Sequence, residues 1–147
     1  MPTADPLSDL PPNLRCGTIQ IRPRYVECDP MGYVHHSIYP VWFEMGRTEL
    51  LRERGLRYRD LEEQGYLLVV AKLSLTYRRP ARYDDQLTLT TTIARQTAVR
   101  IEHRYEVHRD HELLTTAEST LACVNRSGVL VPLPSVLALP PSKPPQA

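Results

Sequence analysis

Residues 38–54 constrain this chain more than any other segment. In IYPVWFEMGRTELLRER, Ile38, Tyr39, Val41, Trp42, Phe43 and Met45 place apolar groups on nearly every side of a helix. Arg47, Glu49, Arg52, Glu53 and Arg54 then charge the second half, leaving Leu50 and Leu51 as a stripe. A helix that is apolar all round at one end is buried there, and its charged end emerges into water. Ser37 offers a hydroxyl for the N-cap, and Gly55 can take the left-handed position that ends a helix. The pattern predicts one long helix over residues 38–54. A shorter one over residues 58–64 ends at Gly65 for the same reason.

Beyond the helices the chain alternates with period two. Val69, Ala71, Leu73, Leu75 and Tyr77 fall on one face, opposite Lys72, Ser74 and Thr76. Leu87, Leu89, Thr91 and Ile93 oppose a row of threonines, and Val99, Ile101, His103, Tyr105 and Val107 oppose Arg100, Glu102, Arg104 and Glu106. Residues 113–125 form a threonine-rich fourth run, and Thr18 to Val26 reads as a strand ahead of the long helix. Such runs are strands with one face on a core. The short links between the later strands imply antiparallel hairpins. One buried helix against one antiparallel sheet is an α+β layer architecture. A single sheet cannot cover all sides of that helix, so self-association is expected.

The chain's 147 residues suit one domain. Four of its 14 prolines lie in residues 1–12 and six in residues 132–147. Proline lacks an N–H and fixes φ, so these stretches read as extended tails, residues 1–13 and 140–147, around a domain at 14–139. The formal charge is +1, which argues against a dedicated nucleic-acid binder. No apolar run approaches the roughly 20 residues needed to span a bilayer. The acidic, proline-rich start lacks the basic and apolar regions of a secretory signal, so the expected compartment is the cytoplasm. Cys16, Cys28 and Cys123 form no CxxC pair and read as packed thiols.

Polar chemistry concentrates in Glu27-Cys28-Asp29-Pro30-Met31-Gly32-Tyr33-Val34-His35-His36, a loop between the first strand and the long helix. A helix N-terminus presents unpaired N–H groups and a positive dipole end. Those donors can hold a carbonyl oxygen as it becomes an oxyanion, and a nearby carboxylate can act as nucleophile or general base. Asp29 with the amides near His36 is thus a minimal acyl-transfer site that needs no cofactor. Composition alone favours a plainer reading, since Asp before Pro is a common turn residue. Adjacent His35 and His36 are poorly placed to chelate one ion, and no third ligand is evident, so no metal is expected. His103 falls on an apolar strand face and reads as a core histidine. Glu44, in the apolar half of the helix, reads as the ion-pair partner of Arg47 and as the second-choice catalytic carboxylate. The sequence contains no GxGxxG, P-loop, GxSxG or HExxH.

Residues 24–54 closely resemble the signature of the 4-hydroxybenzoyl-CoA thioesterase family of hotdog-fold acyl-CoA thioesterases. The stretch Asp29-Pro30-x-Gly32-x-Val34-x-His36, then Tyr39, Trp42-Phe43-Glu44 and Arg47, carries the match. Two further blocks agree in order and spacing. Tyr77 to Asp85 resembles the segment joining the second and third strands, and Ala122 to Gly128 resembles the last strand and its turn. The resemblance implies a hotdog fold, a sheet of about five antiparallel strands wrapped around one long helix. It also implies homodimers with active sites at the shared interface, and a homotetramer as a further step. It makes Asp29 the catalytic aspartate and the backbone N–H of His36 the group that polarises the carbonyl. Gly32, Tyr33, Val34, His35, Tyr39 and Glu44 become the surrounding substrate-binding positions. In its closest subgroup tyrosine often stands in place of His35 and asparagine in place of Ile38.

The reaction so implied is hydrolysis of an acyl-CoA thioester to a free acid and CoA, with no cofactor, no nucleic acid and no membrane. CoA carries phosphates, for which Arg78, Arg79, Arg82, Arg95 and Arg100 are the candidate contacts, because guanidinium groups bind phosphate oxygens in a forked geometry. Two other classes of function suit the same fold: a non-catalytic acyl-CoA binding or sensing module, and a hydratase or dehydratase. A carboxylate beside the carbonyl, which a pure binder does not need, favours the hydrolase.

Overall fold

The computed structural model of the chain describes residues 12–137. One turn of helix, α1 (Pro12–Arg15), leads into β1 (Cys16–Ile21), the long helix α2 (Tyr39–Glu53) and the short α3 (Tyr58–Glu63). Four strands come next: β2 (Leu67–Tyr77), β3 (Leu87–Gln96), β4 (Arg100–Arg109) and β5 (Glu112–Val124). They form one antiparallel sheet in the order β1-β3-β4-β5-β2. This is the expected α+β hotdog arrangement, with β3, β4 and β5 joined as successive hairpins. The expected tails, apart from residues 12 and 13, and the boundary at 139 lie outside the described residues; residues 12 and 13 are helical rather than extended.

The first strand is shorter than the alternation predicts. Pro23 cannot donate to a ladder, so pairing stops at Ile21 and the chain coils into a single 3-10 turn over Tyr25–Glu27. Helix α2 is one residue shorter at each end than expected, and Gly55 and Gly65 close α2 and α3 as read. Ser37 does not cap α2. Ile38 takes the N-cap position with no side-chain cap, because the Ser37 hydroxyl lies 2.7 Å from His35 Nδ1 instead.

Sheet and helix enclose two apolar clusters, one on the first half of α2 and one around Leu50. Tyr39, Trp42 and Phe43 of α2 are buried against Leu87, Leu89, Tyr105 and Val107 of the sheet. Burying each such large side chain stabilises the fold by roughly 1.5–3 kcal/mol. Gly46 sets how closely the helix approaches β3. A Cβ there would collide with the Thr91 side chain and come within 2.9 Å of Leu89. The helix is not covered all round, as its composition suggests it should be: Val41 and Met45 remain 52% and 46% exposed within the chain.

The face assignment of β2 is also corrected. A β-bulge between Val70 and Lys72 breaks the alternation: Leu68 ahead of it packs with Ile101 in the interior, Leu73 and Leu75 beyond it pack on the core, and Val69 is exposed rather than sharing their face. An extra residue in one strand reverses which face its neighbours occupy. Among the described residues strand β2 is an edge of the sheet, and its 11 residues run alongside β5 alone.

Candidate active site

The loop ahead of α2 is built from its own backbone bonds. Cys28 and Val34 form an antiparallel bridge, Asp29 N–H donates to the Tyr33 carbonyl (2.8 Å), and Gly32 N–H donates to the Asp29 carbonyl (2.9 Å). Gly32 sits at φ +81, a left-handed position that glycine takes without a steric penalty. Its role is conformational rather than one of close approach, since a Cβ would meet no atom within 4 Å. Asp29 Oδ1 accepts the amides of Met31 (2.9 Å) and Tyr33 (3.1 Å). The turn reading of Asp29 is therefore correct for one of its oxygens. The other oxygen takes no part in the turn, and the half-buried side chain lines an open cleft of about 360 Å³.

That cleft brings together Asp29, Tyr33, Val34, His36 and Tyr39 with Tyr77, Arg78 and Arg79. The backbone N–H of His36, just ahead of α2, has no hydrogen-bond partner among the described residues. The next peptide is fixed from both sides. Tyr77 donates its hydroxyl to the His36 carbonyl (2.7 Å), and Ser37 N–H donates to His35 Nδ1 (3.2 Å). Tyr39 is buried, with its ring 5.1 Å from Trp42 and 5.3 Å from Tyr77, and burial pushes its phenol up. Cleft, carboxylate and a free amide at the positive end of a 15-residue helix thus share one surface.

Other expected residues fall at different distances from the cleft. His35 is exposed, with its ring 4.1 Å from that of His36, and lies outside the lining. Arg82 lies over the Tyr33 ring at 5.4 Å, a cation–π contact at the cleft's flank. Arg78 makes no ion pair among the described residues, whereas Arg79 approaches Glu112 at 3.6 Å. Arg95 lies with Lys72, Glu102 and Arg104 in a depression on the sheet, and Arg100 is exposed at the start of β4. Glu44 lines a different cavity, and the expected Glu44–Arg47 ion pair is absent. Arg47 instead donates to the Tyr105 hydroxyl (3.0 Å), which places Glu44 in water. His103 is the buried core histidine expected of it.

Sequence reasoning missed Glu27 and Tyr77. Glu27 is 5% exposed, and its carboxylate accepts the Arg24 amide (2.7 Å) and the Trp42 indole N–H (3.1 Å). Its carbonyl accepts His35 N–H (2.9 Å). Burial pushes this carboxyl up, but the bonds from the Arg24 amide, Trp42 and the Arg24 guanidinium together hold it below its usual range. Glu27 thereby pins the start of the Asp29 loop to the core of α2 and to the end of the same loop. The one signal available in the sequence was an acidic residue two positions before Asp29 and a lone tryptophan 15 residues on from it. Among the described residues no group of three or more His, Cys, Asp or Glu side chains converges as a metal site requires. No described helix is long and apolar enough to cross a membrane.

Comparison with known proteins gives a consistent result. The profile of the Thioesterase-like superfamily matches residues 23–139. The acyl-CoA thioester hydrolase YbgC of Escherichia coli O157:H7 is 34% identical over 107 residues, 71% of this chain and 79% of YbgC. The crystal structure of the hypothetical protein TT1821 from Thermus thermophilus superposes with a TM-score of 0.76 at 33% identity, covering 80% of this chain and 90% of that one. The DHNA-CoA thioesterase of Staphylococcus aureus superposes with a TM-score of 0.76 at 28% identity, covering 82% and 80%.

Proposed function

The chain belongs to the thioesterase-like superfamily, and from that premise we propose that Asp29 and the His36 amide form the centre at which it cleaves its substrate. It is an acyl-CoA thioester hydrolase, as its relatives are. The observation that carries the assignment of the centre is the joint presence in one cleft of a carboxylate with one oxygen tied down and of an unpartnered amide at a helix N-terminus.

The thioester carbonyl oxygen sits at the His36 N–H, where the helix dipole and the amide stabilise the negative charge that develops. Asp29 supplies the second element. Its free oxygen either attacks the carbonyl carbon, giving a mixed anhydride that water then opens, or takes a proton from the water that attacks. In both routes the C–S bond breaks, the CoA thiolate leaves and is protonated, and an oxygen of water ends in the free acid. The amides of Met31 and Tyr33 hold the carboxylate in place, so little reorganisation is needed as the reaction proceeds. Arg78 and Arg79 at the cleft, with Arg82 at its flank, are the proposed contacts for the CoA phosphates. Tyr33, Val34 and Tyr39 line the thioester's path, and Gly32 and His35 act by shaping the loop.

The protein works as a homodimer in this proposal. Edge strand β2 leaves one row of backbone groups without a strand partner among the described residues, and Val69 and Val70 on it are 42% and 51% exposed. A second copy adding its own β2 covers that edge. The exposed Val41 and Met45 of α2 support a further pairing of dimers into a tetramer. The working compartment is the cytoplasm. Thiol release from a panel of acyl-CoAs, read with a chromogenic thiol reagent, tests the function. Turnover of at least one member is expected, whereas tight binding across the panel without thiol release would make the protein a binder.

A further inference from the structure

Pro40 leaves a gap in the first turn of α2. In a helix the N–H of that position would be donated to the carbonyl four residues earlier, that of His36, and proline has none. No other backbone amide among the described residues donates to the His36 carbonyl. The donor comes from the sheet instead. Tyr77, the last residue of β2, gives its hydroxyl to that oxygen at 2.7 Å, across 41 residues of sequence. A carbonyl can only accept, so the phenol has to carry its proton, and burial pushes the Tyr77 phenol up, in the direction that keeps the proton on.

The bond matters because of where it lands. The peptide that carries the His36 N–H is held at its other end, the His35 carbonyl, by Ile38 N–H (3.0 Å). The following peptide has its own N–H, that of Ser37, on His35 Nδ1 (3.2 Å). Both bonds are internal to residues 35–38 and would travel with the turn if it shifted. Among the described residues Tyr77 is the one tie between these two peptides and the sheet. Its own place is fixed as well. The ring meets that of buried Tyr39 edge-on at 5.3 Å, and the chain just past it is anchored where the Arg78 and Arg79 amides both donate to the Leu114 carbonyl (2.8 and 3.0 Å). An amide that meets a developing oxyanion has to be in place before the reaction, and a misplacement of about 1 Å can cost on the order of 10²-fold in rate.

We propose that Tyr77 is a positioning residue for the hydrolysis: its hydroxyl stands in for the N–H that Pro40 lacks and fixes the His36 peptide so that the His36 N–H faces the thioester carbonyl. The inference rests on the reading of Asp29 and the His36 amide as the reacting centre. Tyr77 acts through the His36 backbone and exchanges no proton with the substrate.

Tyr77→Phe in the full chain tests this, because it keeps the ring against Tyr39 and deletes only the hydroxyl. With an acyl-CoA that the thiol-release panel shows to be turned over, kcat should fall about 10–100-fold while KM stays within about twofold. NMR reads the geometry directly. His35-His36 is the one His-His pair of the chain and His36-Ser37 the one His-Ser pair. Histidine labelled with carbonyl 13C and 15N therefore gives a single carbonyl-correlated amide signal, that of His36, and 13C-histidine with 15N-serine reports the His36 carbonyl alone. Both signals should move in Tyr77→Phe, the carbonyl upfield as it loses its donor. An unchanged kcat would overturn the proposal, whether or not the signals move. So would a lower kcat with both His36 signals in place, since Tyr77 would then act on the substrate itself, and so would a loss carried by KM alone. Asp29→Asn keeps the two readings apart. Full turnover by that variant would remove the centre and this proposal with it, whereas a slow Asp29→Asn beside a fully active Tyr77→Phe would overturn the role of Tyr77 and leave the centre standing.

Discussion

The two ends of α2 treat polar groups in opposite ways. At the N-terminal end, Asp29, Glu27, Ser37 and Tyr77 are each engaged by a named partner, and most of those partners lie within a few residues in the chain. At the other end, around the cavity that Glu44 lines, apolar side chains from four strands meet the charged half of α2, and the buried imidazole of His103 has no partner for Nδ1 among the described residues. Local bonds give the first region a fixed geometry before any substrate arrives, which is what transition-state stabilisation requires. Long-range packing of strand side chains gives the second its shape. The lesson is that the geometry of the candidate site is set by short loops of sequence, and that of the second cavity by the topology of the sheet.

The sharpest break of this contrast is Asp29→Asn. An asparagine Oδ1 can accept the same amides from Met31 and Tyr33, so the turn should survive with Tm nearly unchanged. What is lost is the carboxylate itself, and kcat should fall on the order of 10²–10⁴-fold. Full turnover of acyl-CoA by this variant would remove Asp29 from the reaction.

The far end responds to pH through His103. The His103 pKa is depressed from 6.5 to about 3 in the fold by burial. As pH falls below 6.5, the unfolded chain takes up a proton that the native state refuses. Stability attributable to this group should therefore decline by up to about 1.4 kcal/mol per pH unit, levelling off once the native ring also protonates. Denaturant melts at stepped pH should show a shallower decline in His103→Phe. Parallel curves for the two proteins would mean that the ring is not held neutral by the fold.

These two regions differ in legibility for the same physical reason that they differ in chemistry. The Asp29-Pro30-x-Gly32 turn, the helix start and the helix-ending glycines are set by neighbouring residues, and they could be read almost in place. Ser37 misled because its hydroxyl had a closer partner in His35, which spacing rules do not weigh. The second cavity could not be read. Leu68 on its wall points inward together with Leu73 and Leu75 only because a bulge breaks the alternation of β2, and Ile101 and Leu121 meet only through the β4–β5 register. Spacing pairs Arg47 with Glu44, three residues away, yet its partner is Tyr105, which is 58 residues distant.

Glu27 tests whether the N-terminal region is held from outside itself as well. Its carboxyl lies below the usual range, so its contribution to stability is present above the unfolded value of about 4.5 and is lost as pH falls through the native value. Trp42, the single tryptophan and a direct donor to Glu27, reports this by fluorescence. An emission change on acidification below about pH 4.5 is expected in the wild type and should vanish in Glu27→Gln. The variant should also lose about 1–3 kcal/mol of stability, with kcat reduced more than KM. An identical fluorescence profile in both proteins would free the loop from Glu27.

The smallest effect separates two glycines on either side of the start of α2. Gly32 needs its positive φ and has no neighbour within 4 Å of a Cβ, whereas Gly46 has an ordinary helical backbone and no room. Gly46→Ala must push into Thr91 and Leu89, a misfit that costs about 1–3 kcal/mol. Gly32→Ala meets only backbone strain, about 1 kcal/mol, and Gly32→Asn should recover part of it because asparagine tolerates the left-handed region. Chemical melts of the three variants should rank them in that order. If Gly32→Asn were no better than Gly32→Ala, space rather than φ would govern position 32, and the loop would have to lie closer to a second chain than the single chain allows.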